Sequence, residues 1–193
     1  YVHELLDELL WPGHPLGLSI AGTTESVGRL GRRDLVSFKE RYYTPANIVI
    51  SAAGALKNQL FVRDIKKRFA SCTDKKIEAF LPVQAGQHKP QLKIFHKETE
   101  QAHLAMGFEG FRRDHPLRYA LGILHIILGA NMSSRLFNEL REKRGLAYEI
   151  GTQMKYFHDT GAFIVHAGMD NNKVGEALSL ILKELEKTKK STV

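Results

Sequence analysis

The side chains able to do chemistry in this chain are nine histidines, 21 aspartates and glutamates and a single cysteine. Their spacing limits what they can do. His3-Glu4-Leu5-Leu6-Asp7 opens like the helical H-E-x-x-H motif, in which two imidazoles one turn apart hold zinc and the glutamate serves as base. Asp7 stands where the second imidazole is required. The inverted form, H-x-x-E-H, does not occur. His96, Glu98, Glu100 and His103 are close in sequence. They fall on two arms of an expected hairpin, where nothing fixes a tetrahedral ligand set, so a polar strand edge is the plainer reading. His14 belongs to a turn before Pro15, while His125 and His166 lie in apolar patterns that suit hydrogen-bonded core histidines. Cys72, beside Thr73-Asp74, has no neighbouring histidine to activate it as a nucleophile. G-x-S-x-G, Walker and G-x-G-x-x-G patterns are absent. Taken alone, these residues specify no reaction.

The elements that must position them are easier to read. Val2, Leu5/Leu6 and Leu9/Leu10 recur at helical spacing, and Trp11-Pro12-Gly13-His14-Pro15 stops that helix. A second helix is expected over about 33–43, ended by Thr44-Pro45. Ile48-Val49-Ile50-Ser51-Ala52-Ala53 reads as a buried strand, and Asn58 as the N-cap of a helix carrying Phe61, Ile65 and Phe69. Residues 71–90 are polar and aperiodic, with Pro82, Gly86 and Pro90, and form the expected linker or boundary. Leu92/Ile94 and Ala102/Leu104/Met106/Phe108 alternate as two strands. Asp114-His115-Pro116 is expected to open a helix bearing Leu117, Leu121, Leu124 and Leu128. Ser133 or Ser134 should cap the next, with an i,i+4 pair between Glu139 and Lys143 and an end at Gly145. Strands over about 147–157 and 162–169 flank the turn His158-Asp159-Thr160-Gly161. A last helix, capped within Asp170-Asn171-Asn172, buries Val174, Leu178, Ile181 and Leu185. Consecutive helices beside tight antiparallel turns imply an α+β fold, with helices on one face of a largely antiparallel sheet.

At 193 residues, with 43% apolar and 25% charged residues, the chain is in the globular range. The longest apolar run, residues 119–130, falls well short of the ~20 residues that span a bilayer, so no membrane role is expected. The net charge is +7, but the cations fall in scattered pairs and triplets such as Arg32-Arg33 and Lys66-Lys67-Arg68. They lack the aromatic interleaving of RNA-binding strands. Solvated helix faces are the favoured reading and no nucleic-acid partner is expected; a basic nucleic-acid-binding module is the weaker alternative. One cysteine excludes an internal disulfide framework and suits a reducing compartment, hence a cytoplasmic location, with periplasm or mitochondrial matrix as alternatives. Tyr1-Val2-His3 shows neither initiator Met nor signal peptide, and reads as the middle of a longer protein.

Two stretches are more distinctive. The first is His14-Pro15-Leu16-Gly17 with Gly22-Thr23-Thr24-Glu25-Ser26-Val27, then Tyr42-Tyr43-Thr44-Pro45-Ala46-Asn47 and Ser51-Ala52-Ala53-Gly54. The second runs Gly129-Ala130-Asn131-Met132-Ser133-Ser134-Arg135-Leu136-Phe137 and continues Glu139-Leu140-Arg141-Glu142-Lys143-Arg144-Gly145-Leu146-Ala147-Tyr148. Together they resemble the pitrilysin/insulinase family of zinc metallopeptidases, near its bacterial processing-protease and mitochondrial-processing-peptidase branch. The resemblance implies two homologous α+β domains, both incomplete here: residues 1–85 as the end of the first, and 86–193 as linker and front of the second. It implies a zinc endopeptidase acting on unfolded peptides, with zinc in the intact parent held by residues outside this chain, and no metal ligands within it. Arg141 and Tyr148 match the family's second-domain pair. A guanidinium can hold a substrate carbonyl and a phenol can donate to a developing oxyanion. Without that motif, Arg141 would read as a solvated helix residue and Tyr148 as core. Strand residues around Gln101 and His103 are expected to line the peptide chamber. The implied partners are a peptide, the missing zinc-binding segment or an active partner subunit, in a homo- or heterodimer. The alternative is a catalytically silent subunit that binds substrate or serves as scaffold.

Overall fold

The segment richest in apolar residues on both of its sides becomes the centre of the sheet. In the computed structural model, which describes residues 1–73, 75, 78–84 and 89–190, three strands pair antiparallel in the order β1-β3-β2. They are β1 (Gln101–Glu109), β2 (Ala147–Tyr156) and β3 (Gly161–Asp170). Phe163, Val165, Ala167 and Met169 of β3 face one side and Ala162 and Ile164 the other, all buried. An edge strand could not use two apolar faces this way. The β2–β3 turn closes where the sequence marks it, with the Phe157 N–H donating to the Thr160 carbonyl at 2.9 Å.

One face is covered by α5 (Arg118–Leu128), a π-helical segment (Phe137–Glu142) and α6 (Val174–Lys190). Leu128, Leu136, Leu140, Ala177 and Ile181 pack there against the odd-numbered residues of β3. The opposite face receives α1 (Val2–Leu10), where Leu6 and Trp11 cover Ala162 and Ile164. Helices on one face therefore describes the second half of the chain, and α1 adds a layer on the other face. Gly107 permits that approach, since a Cβ there would lie 2.9 Å from Leu10 Cδ1 and 3.0 Å from Leu6 Cδ1. Helix α1 ends as its sequence requires: Pro12 offers no N–H, and Gly13 takes φ +70°.

The described contacts gather Tyr1–Ile20 with Pro82–Val193 as one unit and Ala21–Leu81 as another. The expected boundary between 85 and 86, together with Asp74, Lys76 and Gly86, lies outside the described residues. The second unit carries α2 (Thr24–Arg29), α3 (Arg32–Tyr42) and α4 (Asn58–Phe69). Helix α2 was not expected from sequence, although its capping box is legible: Thr23 Oγ1 accepts from the Ser26 N–H and Ser26 Oγ from the Thr23 N–H.

Several local expectations are corrected. Residues 48–53 and Leu92/Ile94 pair in no ladder, and Val49, Leu92 and Ile94 are 95%, 81% and 80% exposed; an apolar run becomes a strand only where another strand meets it. Lys57, not Asn58, is the N-cap of α4. Helix α5 starts at Arg118 rather than at Pro116, because His115 Nδ1 takes up the Leu117 N–H in a preceding turn. Ser134 stands just ahead of the next helix, with its carbonyl accepting from the Asn138 N–H at 3.0 Å, but neither serine hydroxyl caps it. Asn131 Oδ1 accepts instead from the Ser133 N–H and hydroxyl, at 3.0 and 2.7 Å, and Ser134 Oγ is buried without a partner. The final cap is as expected, with Asp170 Oδ1 accepting from the Asn172 N–H at 2.8 Å.

Candidate functional site

Three residues carry the sequence expectation, and the structure places two of them at one end of the sheet. Gln101 opens β1 opposite Asp170, while Ala147 of β2 stands opposite Met169. Gln101 and Tyr148 thus occupy the two edge strands with the end of β3 between them, about 10 Å across by strand spacing. Tyr148 is an inserted residue. The register passes from Ala147↔Met169 to Glu149↔Gly168, so Tyr148 sits in a β-bulge, a device that re-aims a side chain. Its neighbours Leu146, Ala147 and Ile150 are buried, yet Tyr148 is 57% exposed. The phenol is therefore not a core residue.

Arg141 is positioned differently. It lies near the end of the π-helical segment, whose Leu140 is fully buried while Arg141 is exposed. Its guanidinium rests 5.1 Å from the Phe137 ring centroid. The cations around it are engaged: Lys143 and Arg144 both bind Glu139, at 2.5 and 2.6 Å, and they hold that carboxyl down to about 2. Arg141 has no ion-pair partner among the described residues. Gly145, at φ +57°, reverses the chain and donates its N–H to the Arg141 carbonyl at 3.0 Å. That reversal separates Arg141 from Tyr148 by one turn, and no hydrogen bond or ring contact joins them among the described residues. Neither a groove on α3, lined by Arg32, Arg33, Val36, Ser37 and Glu40, nor one along α6 contains Arg141, Tyr148 or Gln101.

Sequence reasoning missed what surrounds Tyr148. By register, Gln101, His103, Glu149, His166 and Gly168 share the α1-bearing face of the sheet. Beyond the end of α1 this face is open, and Gln101, His103 and Glu149 are exposed. Two glycines shape it. A Cβ on Gly151 would lie 3.1 Å from His166 Nε2, and one on Gly168 would lie 3.6 Å from the His103 ring. His166 was expected to be a hydrogen-bonded core histidine, but its Nδ1 is buried with no partner and its Nε2 lies 3.8 Å from Glu149 Oε1. His125 does meet that expectation, with Nδ1 2.7 Å from Thr152 Oγ1; burial lowers its pKa. The bulge had no local sequence signal, since it arises from pairing of β2 with β3.

A metal does not fit here. Among the described residues no three His, Cys, Asp or Glu side chains come together as a group able to hold a metal ion, and His103, His166 and Glu149 are no exception. Cys72 is free and exposed.

Comparison with known proteins shows the family and the fold. An uncharacterized zinc protease of Bacillus subtilis is 34% identical over 199 aligned residues, covering 100% of this chain and 46% of that protein. One of Streptomyces coelicolor is 34% identical over 96% of this chain and 42% of its own length. The chain thus spans slightly under half the length of the curated relatives it matches. Among solved structures, a peptidase M16 inactive domain from Pseudomonas fluorescens superposes with a TM-score of 0.84 at 23% identity, covering 96% of this chain and 45% of that one. A protease from Helicobacter pylori superposes with a TM-score of 0.83 at 26% identity, over 95% of this chain and 45% of its own. The family model described as the peptidase M16 inactive domain matches residues 29–193, in keeping with the resemblance to pitrilysin-type peptidases, and this chain belongs to the M16 peptidase family.

Proposed function

We propose that this chain forms the metal-free wall of a zinc endopeptidase, holding an extended peptide and supporting hydrolysis at a metal supplied by other residues. The observation that carries this reading is the exposure of Tyr148 on a bulge between the buried Ala147 and the exposed Glu149. A tyrosine kept only for packing would turn inward; one lifted out by an inserted residue is free to donate its hydroxyl. Arg141 supports the same reading, since among the described residues its guanidinium has no carboxylate partner, while Lys143 and Arg144 beside it are paired. In this role the Arg141 guanidinium takes up a substrate backbone carbonyl. Tyr148 donates to the oxygen on which negative charge develops, and Gln101, at the same end of the sheet, offers an amide to the peptide backbone. Zinc supplies the activated water and does so from outside these residues, so the chain by itself is expected to hydrolyse no peptide.

The test uses the full-length natural protein with zinc and a fluorogenic unfolded peptide. Tyr148→Phe, which removes one hydroxyl and keeps the ring, should lower kcat/KM by roughly 10²–10³, the loss expected for one oxyanion donor. Unchanged kcat/KM would overturn the role of Tyr148. A full-length protein that binds the peptide but never cleaves it would favour the second reading, a silent substrate-binding or scaffold subunit, which the match to a domain described as inactive also supports.

A further inference from the structure

Among the described residues, imidazoles from two elements meet where α1 lands on the sheet. His3 of α1 lies against His166 of β3, with ring centroids 5.7 Å apart at an interplanar angle of 64°. Both rings have Nδ1 buried without a hydrogen-bond partner. Gly151, on the neighbouring strand, leaves the space that the His166 ring fills. The charges facing the pair come from every side. Lys155 of β2 repels a charged His3, while Asp7 of α1 attracts it. Asp7 is itself engaged by Lys155, whose Nζ lies 2.6 Å from both carboxylate oxygens. Glu149 of β2 stands 3.8 Å from His166 Nε2, and His103 of β1 is one register row away.

We propose that the His3–His166 contact is an acid-sensitive latch: it seats α1 on the sheet while both rings are neutral and loosens it when they take up protons. Two imidazolium rings at this separation repel one another. Glu149 can compensate only His166, and Asp7 is already shared with Lys155. His3 therefore carries the penalty. Its pKa lies below 6.5, first because it is buried and then because His166 and Lys155 disfavour its charge. The sign follows directly. The folded chain binds a proton at His3 less readily than the unfolded one, so docking is at full strength above 6.5 and weakens as pH falls through the lowered value. The consequence reaches the exposed end of the sheet, because Glu149, drawn towards a charged His166, is the residue next to Tyr148.

The chain contains its own reporter, for its single tryptophan, Trp11, ends α1 and is 5% exposed beside Ile164 and Phe157. On acidification from ~pH 8 to ~pH 5, the range in which histidine titrates, Trp11 emission should shift to the red with a midpoint below 6.5 while far-UV circular dichroism is nearly preserved. His3→Gln, which cannot charge, should abolish the shift over the same range. An NMR titration of the unmodified chain should show His3 titrating below the ordinary histidine value, and it decides the matter even if His3→Gln folds poorly. A constant Trp11 emission, an unaltered shift in His3→Gln, loss of the dichroism in step with the shift, or ordinary titration of His3 would each overturn the latch.

Discussion

Replacing either end of the ion pair between Glu184 of α6 and Arg135, just ahead of the π-helical segment, should cost very different amounts. Glu184 of α6 accepts from Arg135 Nη2 at 3.2 Å and from Lys187 Nζ at 2.5 Å. Its side chain is 2% exposed, against 28% for Arg135 and 46% for Lys187. Burial is thus one-sided. In Glu184→Met the two cations swing into water and the thioether fills an apolar slot, so the loss is that of a half-exposed pair, about 0–1 kcal/mol. In Arg135→Met the carboxylate stays buried with only Lys187 to answer it. Breaking a fully buried pair costs roughly 3–5 kcal/mol, and the remaining lysine brings this down to about 2–4 kcal/mol. For a chain of this size each kcal/mol moves Tm by roughly 2–4 °C. Urea titrations of the wild type, both single variants and the double variant form a cycle, and the double should be less destabilised than the sum by about 1–3 kcal/mol. Equal losses in the two single variants, or strict additivity, would refute the argument from one-sided burial.

The site's supports give two more predictions. Gly129→Ala places a Cβ 2.7 Å from the Thr152 backbone nitrogen, at the turn leading into the π-helical segment; because backbone cannot move aside cheaply, a loss of roughly 1–3 kcal/mol is expected in the same titration. Glu139, held down to about 2 by Lys143 and Arg144, contributes stability that is present above 4.5 and lost as pH falls towards 2. A carbon-detected NMR titration should give that low midpoint, and salt should raise it because the cations are solvent-exposed.

Most elements were legible because their signals are local. The period of Val2, Leu5/Leu6 and Leu9/Leu10, the stop at Pro12-Gly13, the β2–β3 turn and the Glu139–Lys143 pair each depend on residues within a few positions of one another, and the structure retains them all. The strands assigned to residues 48–53 and to Leu92/Ile94 failed for the complementary reason. β-branched composition announces a wish to pair, and whether a partner is within reach is a property of the fold.

The residues with candidate roles divide along the same line. The amino-acid order by itself determined the family, the Arg141/Gly145/Tyr148 spacing and the lack of a histidine motif for zinc, since a motif is a statement about order alone. Tertiary structure decided that Tyr148 rides outward on a bulge, that Arg141 meets no carboxylate among the described residues, and that His3 meets His166. Those outcomes depend on register between strands and on where α1 docks, which are set by long-range packing and not by any neighbour in the chain.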